Sequence, residues 1–394
     1  MPQAYMKKFL SNHVVILVLA VVVGILLGKY IDNAAMLAAA QTVKSVSSQL
    51  IFFLVPLIVL AFVASAVTSL KSNATRLFLF AFLIAYLSSE ASALFSLLLS
   101  YTVVPLLHCS QLGSVRQLPE AVFTFAIPPV MNVISALFLA IFIGLGVVWT
   151  KATTIATMLD ELRELMLVVV KRVLLPVLPF YIAANFYIMA WQGNIDSLIV
   201  FLPVIAIIVM AHFVWIIILY TGASVYSRQN AFDILRHYAP AYFTALGTMS
   251  SAATLGVALH CARKSKVLRA DISEFSIPLF ANIHLCGATL TETFFLAVVS
   301  QLLYGHLPTP GVFLLFIVLL GVFAVGAPGV PGGTAFASVG IVTSVLGFDD
   351  NGVALFLALF ALQDCFGTSC NILGDGALSL ILQTYNDRNN KETI

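Results

Sequence analysis

Residues 363–375 read Gln-Asp-Cys-Phe-Gly-Thr-Ser-Cys-Asn-Ile-Leu-Gly-Asp, inside an apolar segment that spans about 350–385. Asp364, Thr368, Asn371 and Asp375 follow one another at spacings of four, three and four, so one helical face carries all of them. Two carboxylates, an amide and a hydroxyl aimed into a cavity supply the oxygens that coordinate a cation or pair with an ammonium group. The plainer alternative is an interhelical hydrogen-bond seam. A second polar stretch, Asn282-Ile-His284-Leu-Cys286-Gly287-Ala-Thr289-Leu-Thr-Glu292, places a glycine among small and polar residues. Such a stretch invites local unwinding at membrane depth and frees carbonyls that can ligate Na⁺. His284 and Glu292 are candidate protonatable groups, and the plain reading of His284 is a ring bonded to a neighbouring carbonyl. Glu90 lies deep in another apolar run, where it either pairs with a buried cation or carries a proton.

Other reactive residue types form no recognisable set. Ser250 and Ser251 have no evident base, and His260 and His284 make no metal motif, so nothing marks an enzyme. Cys109, Cys261, Cys286, Cys365 and Cys370 lack zinc-type spacing and read as small buried thiols. No cofactor site is expected.

The elements that hold these residues must live in lipid. Hydrophobic residues make up 61% of 394 positions and charged residues 9%, a balance that leaves too little polar surface for a water-soluble globule. A net charge of +2 gives no reason to expect a nucleic-acid partner. Apolar stretches recur at about 13–30, 47–69, 76–107, 120–150, 165–191, 196–226, 238–262, 272–304, 309–347 and 350–385. Lys7 and Lys8 precede the first, which lacks a small-residue cleavage site and is expected to be a span, not a signal peptide.

Basic residues sort these segments. Arg228 and Arg236 precede 238–262, and Arg263, Lys264, Lys266 and Arg269 follow it, so both of its ends are expected on the cytoplasmic side. It reads as a re-entrant hairpin with its tip at Gly247-Thr248-Met249-Ser250-Ser251. Segment 309–347 carries Gly326-Ala-Pro-Gly-Val-Pro-Gly-Gly333 at its middle, which breaks a helix at membrane depth and predicts a second hairpin entering from the opposite side. Eight transmembrane helices plus these two hairpins leave only Lys29, Lys44 and Arg116 outside, a split of 16 to 3 for the 19 Lys and Arg. Both termini are then cytoplasmic, in the plasma or bacterial inner membrane. Oppositely inserted broken hairpins are the pattern of inverted repeats that hold a solute near the midplane of a secondary transporter. An ion channel is the competing class, and it would need a continuous polar lining rather than polar residues clustered at one depth.

At these residues the chain resembles the dicarboxylate/amino acid:cation symporter family, which includes the glutamate transporters. The similarity is densest from about Tyr242 to Leu382. The family's serine-rich first tip is similar to Ser250-Ser251-Ala-Ala-Thr254-Leu255, its second tip to Gly329-Val330-Pro331-Gly332, and its last signature to Asp364-x-x-Gly367-Thr368-x-x-Asn371-x-x-Gly374-Asp375. The resemblance implies an elevator-type homotrimer. Residues 1–226 would form six helices of the scaffold and part of the transport domain, and 227–394 the core transport region. That core comprises hairpin 1 at about 238–262, helix 7 at 272–304, hairpin 2 at 309–347 and helix 8 at 350–385. It further implies that Asp364 takes a substrate ammonium, that Asn371 and the tips around Ser250, Ser251, Val330, Pro331 and Gly332 hold its α-carboxylate, and that Thr368 lines the side-chain pocket. Asn371 and Asp375 would complete a Na⁺ site.

The departures shape the expected substrate. Gly367 replaces the family's arginine for an acidic side chain, and Met249 occupies the alternative arginine position. Burying an acidic substrate without that partner costs about 3–5 kcal/mol, so a neutral amino acid is favoured over an acidic one or a dicarboxylate. The family's Asn-Met-Asp-Gly-Thr motif has become His284-Leu-Cys286-Gly287-Ala288. Glu90 falls where the family usually has a small hydroxyl near the same sodium site, and Glu292 aligns with a position that carries a proton in some members. Coupling to Na⁺, or to H⁺ through Glu90, His284 or Glu292, follows as the expectation.

Overall fold

Where long stretches of Leu, Val, Ile and Ala leave no water to bond the backbone, each segment satisfies its own N–H and C=O groups as a helix. Every regular element among the described residues is helical. The computed structural model describes residues 13–72, 76–107, 119–123, 126–192, 201–327 and 331–391. Lys7, Lys8, Cys109, Arg116 and Val330, all singled out above, lie outside the described residues.

The first half comprises α1 (His13–Tyr30), α2 (Ala34–Ser72), α3 (Arg76–Val103, with a 3₁₀ turn over Val104–Leu107), α4 (Val133–Thr150), α5 (Thr153–Val169), α6 (Leu175–Trp191) and α7 (Phe201–Ser227). α5 runs into α6 through a π turn at Val170–Leu174, just ahead of Pro176, whose missing N–H loosens the helical ladder there. α1 crosses α6 closely because Gly24 and Gly28, four apart, bring backbone against backbone. A Cβ at Gly24 would sit 2.5 Å from the Ala183 carbonyl oxygen.

Three expected boundaries shift, and the segment anticipated from 165 begins at Thr153. The segment anticipated at 120–150 is helical only from Val133, because Pro128-Pro129 breaks the ladder before it. The segment anticipated from 47 begins at Ala34, where the side-chain oxygen of Asn33 caps the N–H groups of Ala35 and Met36.

The second half holds α8 (Phe232–Leu235), α9 (Ala239–Thr248), α10 (Ser251–Ala262), α11 (Ala270–Ile283), α12 (Cys286–Tyr304), α13 (Pro310–Val325), α14 (Gly333–Ser344) and α15 (Asp350–Lys391). α9 and α10 form the first helical hairpin. Its turn is Met249, in the left-handed conformation at φ 51°, followed by extended Ser250, whose hydroxyl accepts from the Ala253 N–H. α13 and α14 form the second.

Among the described residues, six helical stretches are long and apolar enough to cross a membrane, and shorter apolar helices including the hairpin arms accompany them, so the chain is a multi-pass membrane protein. Two stretches form the interior. The apolar windows of 270–304 and 350–389 are 94% and 89% buried, against 39% for three of the other four, so the polar residues they carry face protein rather than lipid. α12 and α15 pack on each other, with α3, α7 and the first hairpin around them, while α1, α2, α4, α5 and α6 pack as a neighbouring group. Lys44, expected above on the outer side, is buried where α2 meets α15, and its Nζ donates to Asn351 Oδ1 at 2.5 Å.

Candidate functional site

The face read from spacing is real. Asp364, Thr368, Asn371 and Asp375 are at most 5% exposed along α15. Each engages a different neighbour.

Asp364 meets the second hairpin. Its Oδ2 accepts from the Gly332 N–H at 2.7 Å, and Oδ1 is 3.5 Å from the Thr368 hydroxyl. Gly332 sits at φ 73°, open to glycine without strain, and directly precedes α14. The carboxylate therefore lies at a helix N-terminus, where unpaired N–H groups and the helix dipole favour negative charge. Glu292 on α12 holds the same hairpin six residues further on, its Oε2 accepting from the Ser338 hydroxyl at 2.6 Å.

Asn371 and Asp375 meet the interruption between α11 and α12. The helix breaks at His284 and Leu285, both outside helical backbone geometry, two to three residues before the glycine from which unwinding was expected. Asn371 Oδ1 accepts from the restarted helix, from the N–H of Gly287 at 2.7 Å and of Ala288 at 3.3 Å. Asp375 Oδ1 accepts from His284 Nδ1 at 2.9 Å, and Asp375 Oδ2 has no hydrogen-bond partner. The other ring nitrogen of His284 lies 3.0 Å from the Ser88 hydroxyl of α3, so the ring is held by a carboxylate and a hydroxyl rather than a carbonyl. Further along α3, Ser92 donates to the Cys286 carbonyl or pairs with Thr289, and Ser96 donates to the Leu290 carbonyl, fastening the two helices together.

A residue not foreseen completes the cluster. His212, fully enclosed on α7, places Nε2 3.1 Å from the Gly287 carbonyl and 3.0 Å from Thr291 Oγ1, with Nδ1 3.4 Å from Gln363 Nε2. An amide nitrogen only donates, so Nδ1 accepts and Nε2 carries the hydrogen, which faces both the Gly287 carbonyl and the Thr291 hydroxyl oxygen. The signal was present in the sequence: His212 is an ionisable residue inside an apolar run.

Three of the oxygens expected to hold Na⁺ are already bonded, and Asp375 Oδ2 is left without a partner. Gly287 O receives the His212 N–H, Asn371 Oδ1 two backbone N–H groups, and Asp375 Oδ1 the His284 N–H. A hard cation needs several oxygens converging with lone pairs free, and this set does not fit one as it stands. Gly367 faces α12, where an added Cβ would lie 3.5 Å from both Gly287 O and Thr291 Oγ1. Glu90 has no basic partner among the described ion pairs; its carboxyl lies against Gly321 of α13, and Tyr86 one turn earlier reaches the Val318 carbonyl.

A cavity of about 590 Å³ opens beside the hairpin tips. Ser250, Asn282, Gly326 and Ala327 line it on one side, Asp160 and Arg163 of α5 on the other. It reaches the tips but not Asp364, which Gly332 covers. Ser251, behind the first tip, is buried, and Pro331 is half-buried at the edge of the second.

A 163-residue stretch is 28% identical to neutral amino acid transporter B(0) of Bos taurus and of Homo sapiens, covering 41% of this chain and 30% of each relative. Excitatory amino acid transporter 3 of Bos taurus is 33% identical over 148 residues, 38% of this chain and 28% of the relative. The matched stretch thus spans less than a third of these curated relatives. The family description "Sodium:dicarboxylate symporter family" matches residues 14–385, nearly the whole chain, and the chain belongs to that family.

Proposed function

We propose that this protein is a secondary symporter that carries an amino acid across a membrane, driven by a Na⁺ or H⁺ gradient, with a neutral amino acid as the favoured solute. One observation carries the reading: the Asp364 carboxylate sits at the N-terminus of the second hairpin arm, behind two tips that border a cavity. In this reading the substrate ammonium displaces the Gly332 N–H from Asp364, so arrival of the solute and release of the hairpin are one event. Thr368 lines the side-chain pocket, while Asn371, the backbone around Ser250 and Ser251, and the second tip at Val330, Pro331 and Gly332 take the α-carboxylate. Gly367 supplies no cation for an acidic side chain. Arg163 at the far wall of the cavity is the feature that would favour an acidic amino acid instead.

The packing supports a division of labour. α1, α2, α4, α5 and α6 serve as scaffold, and α3, α7, both hairpins, α11, α12 and α15 as the moving core of an elevator. Eight crossings, cytoplasmic termini, a homotrimer and a plasma or bacterial inner membrane location complete the proposal. Ser88, His284 and Asp375 do pair a hydroxyl with an imidazole and a carboxylate, but all three are buried and none lines the cavity, so the reading is of a carrier rather than an enzyme. A thermal-unfolding panel of purified protein with neutral and acidic amino acids tests it. Stabilisation by a neutral amino acid, lost in Asp364→Asn, is expected; stabilisation by none of the panel, or equally in the variant, would overturn it.

A further inference from the structure

The helix break is where a coupling cation would be expected to bind, yet it is filled by the chain's own side chains. His284 spans the gap between α3 and α15, from Ser88 at 3.0 Å to Asp375 at 2.9 Å. A donor and an acceptor 2.9 Å apart leave no space for an ion between them. On the other side, His212 Nε2 of α7 lies 3.1 Å from the Gly287 carbonyl and 3.0 Å from the Thr291 hydroxyl, both near the start of α12 after the break. The remaining carboxylate atom, Asp375 Oδ2, has no hydrogen-bond partner, and one such oxygen falls short of the several a hard cation needs. A Cβ at the preceding Gly374 would meet the His284 ring at 2.6 Å and the Cys286 sulfur at 3.2 Å, so the imidazole and a soft thiol fill that side of the turn.

We infer that His284, with His212 behind it, determines ion specificity by occupying with ring N–H donors the position a sodium ion would take, so that the Asn371–Asp375 cluster binds no sodium. This rests on reading the core as that of a cation-coupled carrier and narrows which ion it uses at this place. The sequence pattern agrees: Cys286, a thiol, removes a further oxygen from the same turn.

The test reads sodium directly and needs no substrate, so it stands even if no amino acid is transported, which would sink the symporter reading alone. The unfolding temperature of the purified full chain is recorded against NaCl, with KCl and choline chloride at equal ionic strength, for wild type, His284→Asn and Asp375→Asn. Ligand that binds only the folded state raises that temperature with concentration. The expected result is that NaCl and KCl curves coincide in wild type and separate in His284→Asn, where an amide replaces the ring. A sodium-specific rise in wild type that vanishes in Asp375→Asn would overturn the inference. A rise that survives in Asp375→Asn upholds it and places sodium elsewhere. Absence of any gain in folded His284→Asn would show that the imidazole is not the excluding group. Should His284→Asn not fold, the comparison of wild type with Asp375→Asn, in which the His284 N–H retains an oxygen acceptor, decides the question.

Discussion

Gly287→Ala sets two effects of opposite sign against each other. In an open helix the change would stabilise by up to about 1 kcal/mol through backbone entropy. Here the new Cβ would overlap the Gly367 carbonyl oxygen and stand 2.6 Å from Cys370 Cβ, about 1 Å short of ordinary carbon–carbon contact. Gly367 O is backbone, so α12 and α15 must part. Overpacking of this kind costs about 1–3 kcal/mol. Parting by about 1 Å also takes the 2.7 Å bond from Gly287 N to Asn371 Oδ1 out of range, leaving buried groups unpaired at a further 1–3 kcal/mol or so. The net expectation is a loss of roughly 2–4 kcal/mol. Gly146→Ala on α4, whose added Cβ would meet nothing within 4 Å, is the control and should lose nothing. Thermal unfolding followed by a thiol-reactive dye suits the comparison, since Cys261, Cys286, Cys365 and Cys370 are all buried and free. A Gly287→Ala midpoint several degrees below the control is predicted. Equal midpoints for the two variants would refute the claim that the α12–α15 crossing is closed by backbone contact at Gly287.

Other perturbations address the site and its surroundings. Asp364→Asn retains an oxygen acceptor for the Gly332 N–H, so the fold should hold while amino-acid affinity falls about a hundred- to several-thousand-fold, the equivalent of about 3–5 kcal/mol for a broken buried ion pair; unchanged affinity by isothermal titration would remove the ammonium role. Gly367→Arg should shift preference toward aspartate or glutamate in competition uptake and lower the unfolding temperature, since its first side-chain carbon would already lie 3.5 Å from Gly287 O and Thr291 Oγ1 of α12; no gain of acidic substrate in the folded variant would mean the pocket is organised differently. At the short turn before the first hairpin, the Lys266 N–H chiefly, with Ser265 and Arg236, holds the Asp233 carboxyl below its usual range. A folded-state value below the unfolded one gives stability that is present above the usual carboxylate pKa, about 3.9, and lost as pH falls through the folded value. Wild type should therefore lose unfolding temperature more steeply than Asp233→Asn between about pH 5 and 3, and parallel curves would count against this anchoring.

Much of this architecture is legible in residue patterns because lipid imposes strong local rules. Helix–turn–helix elements emerge at 239–262 and 310–344 where basic flanks and Gly/Pro clusters anticipate hairpins, and the spacing of Asp364, Thr368, Asn371 and Asp375 does yield one buried face. What each member of that face touches is a tertiary matter. His284 is three positions from Gly287 in sequence, yet its ring turns to Asp375, 91 residues away, and to Ser88, 196 away. No local pattern announces that pairing. Lys44 likewise enters the sequence reading only as a charge on the outer side, and its buried bond to Asn351, 307 residues away, has no local signal. The start of α4 was misplaced because apolar content outweighed Pro128-Pro129, whose backbone effect is the stronger.

The central claim is transport of an amino acid coupled to a cation gradient. The measurement that tests it most directly is uptake of labelled neutral and acidic amino acids into liposomes holding the purified protein, with Na⁺ and H⁺ gradients imposed separately. Saturable accumulation of a neutral amino acid above its external concentration under at least one of the two gradients is predicted, and it should collapse when that gradient is dissipated. Uptake that merely equilibrates, or no amino-acid uptake under either gradient, would contradict the account.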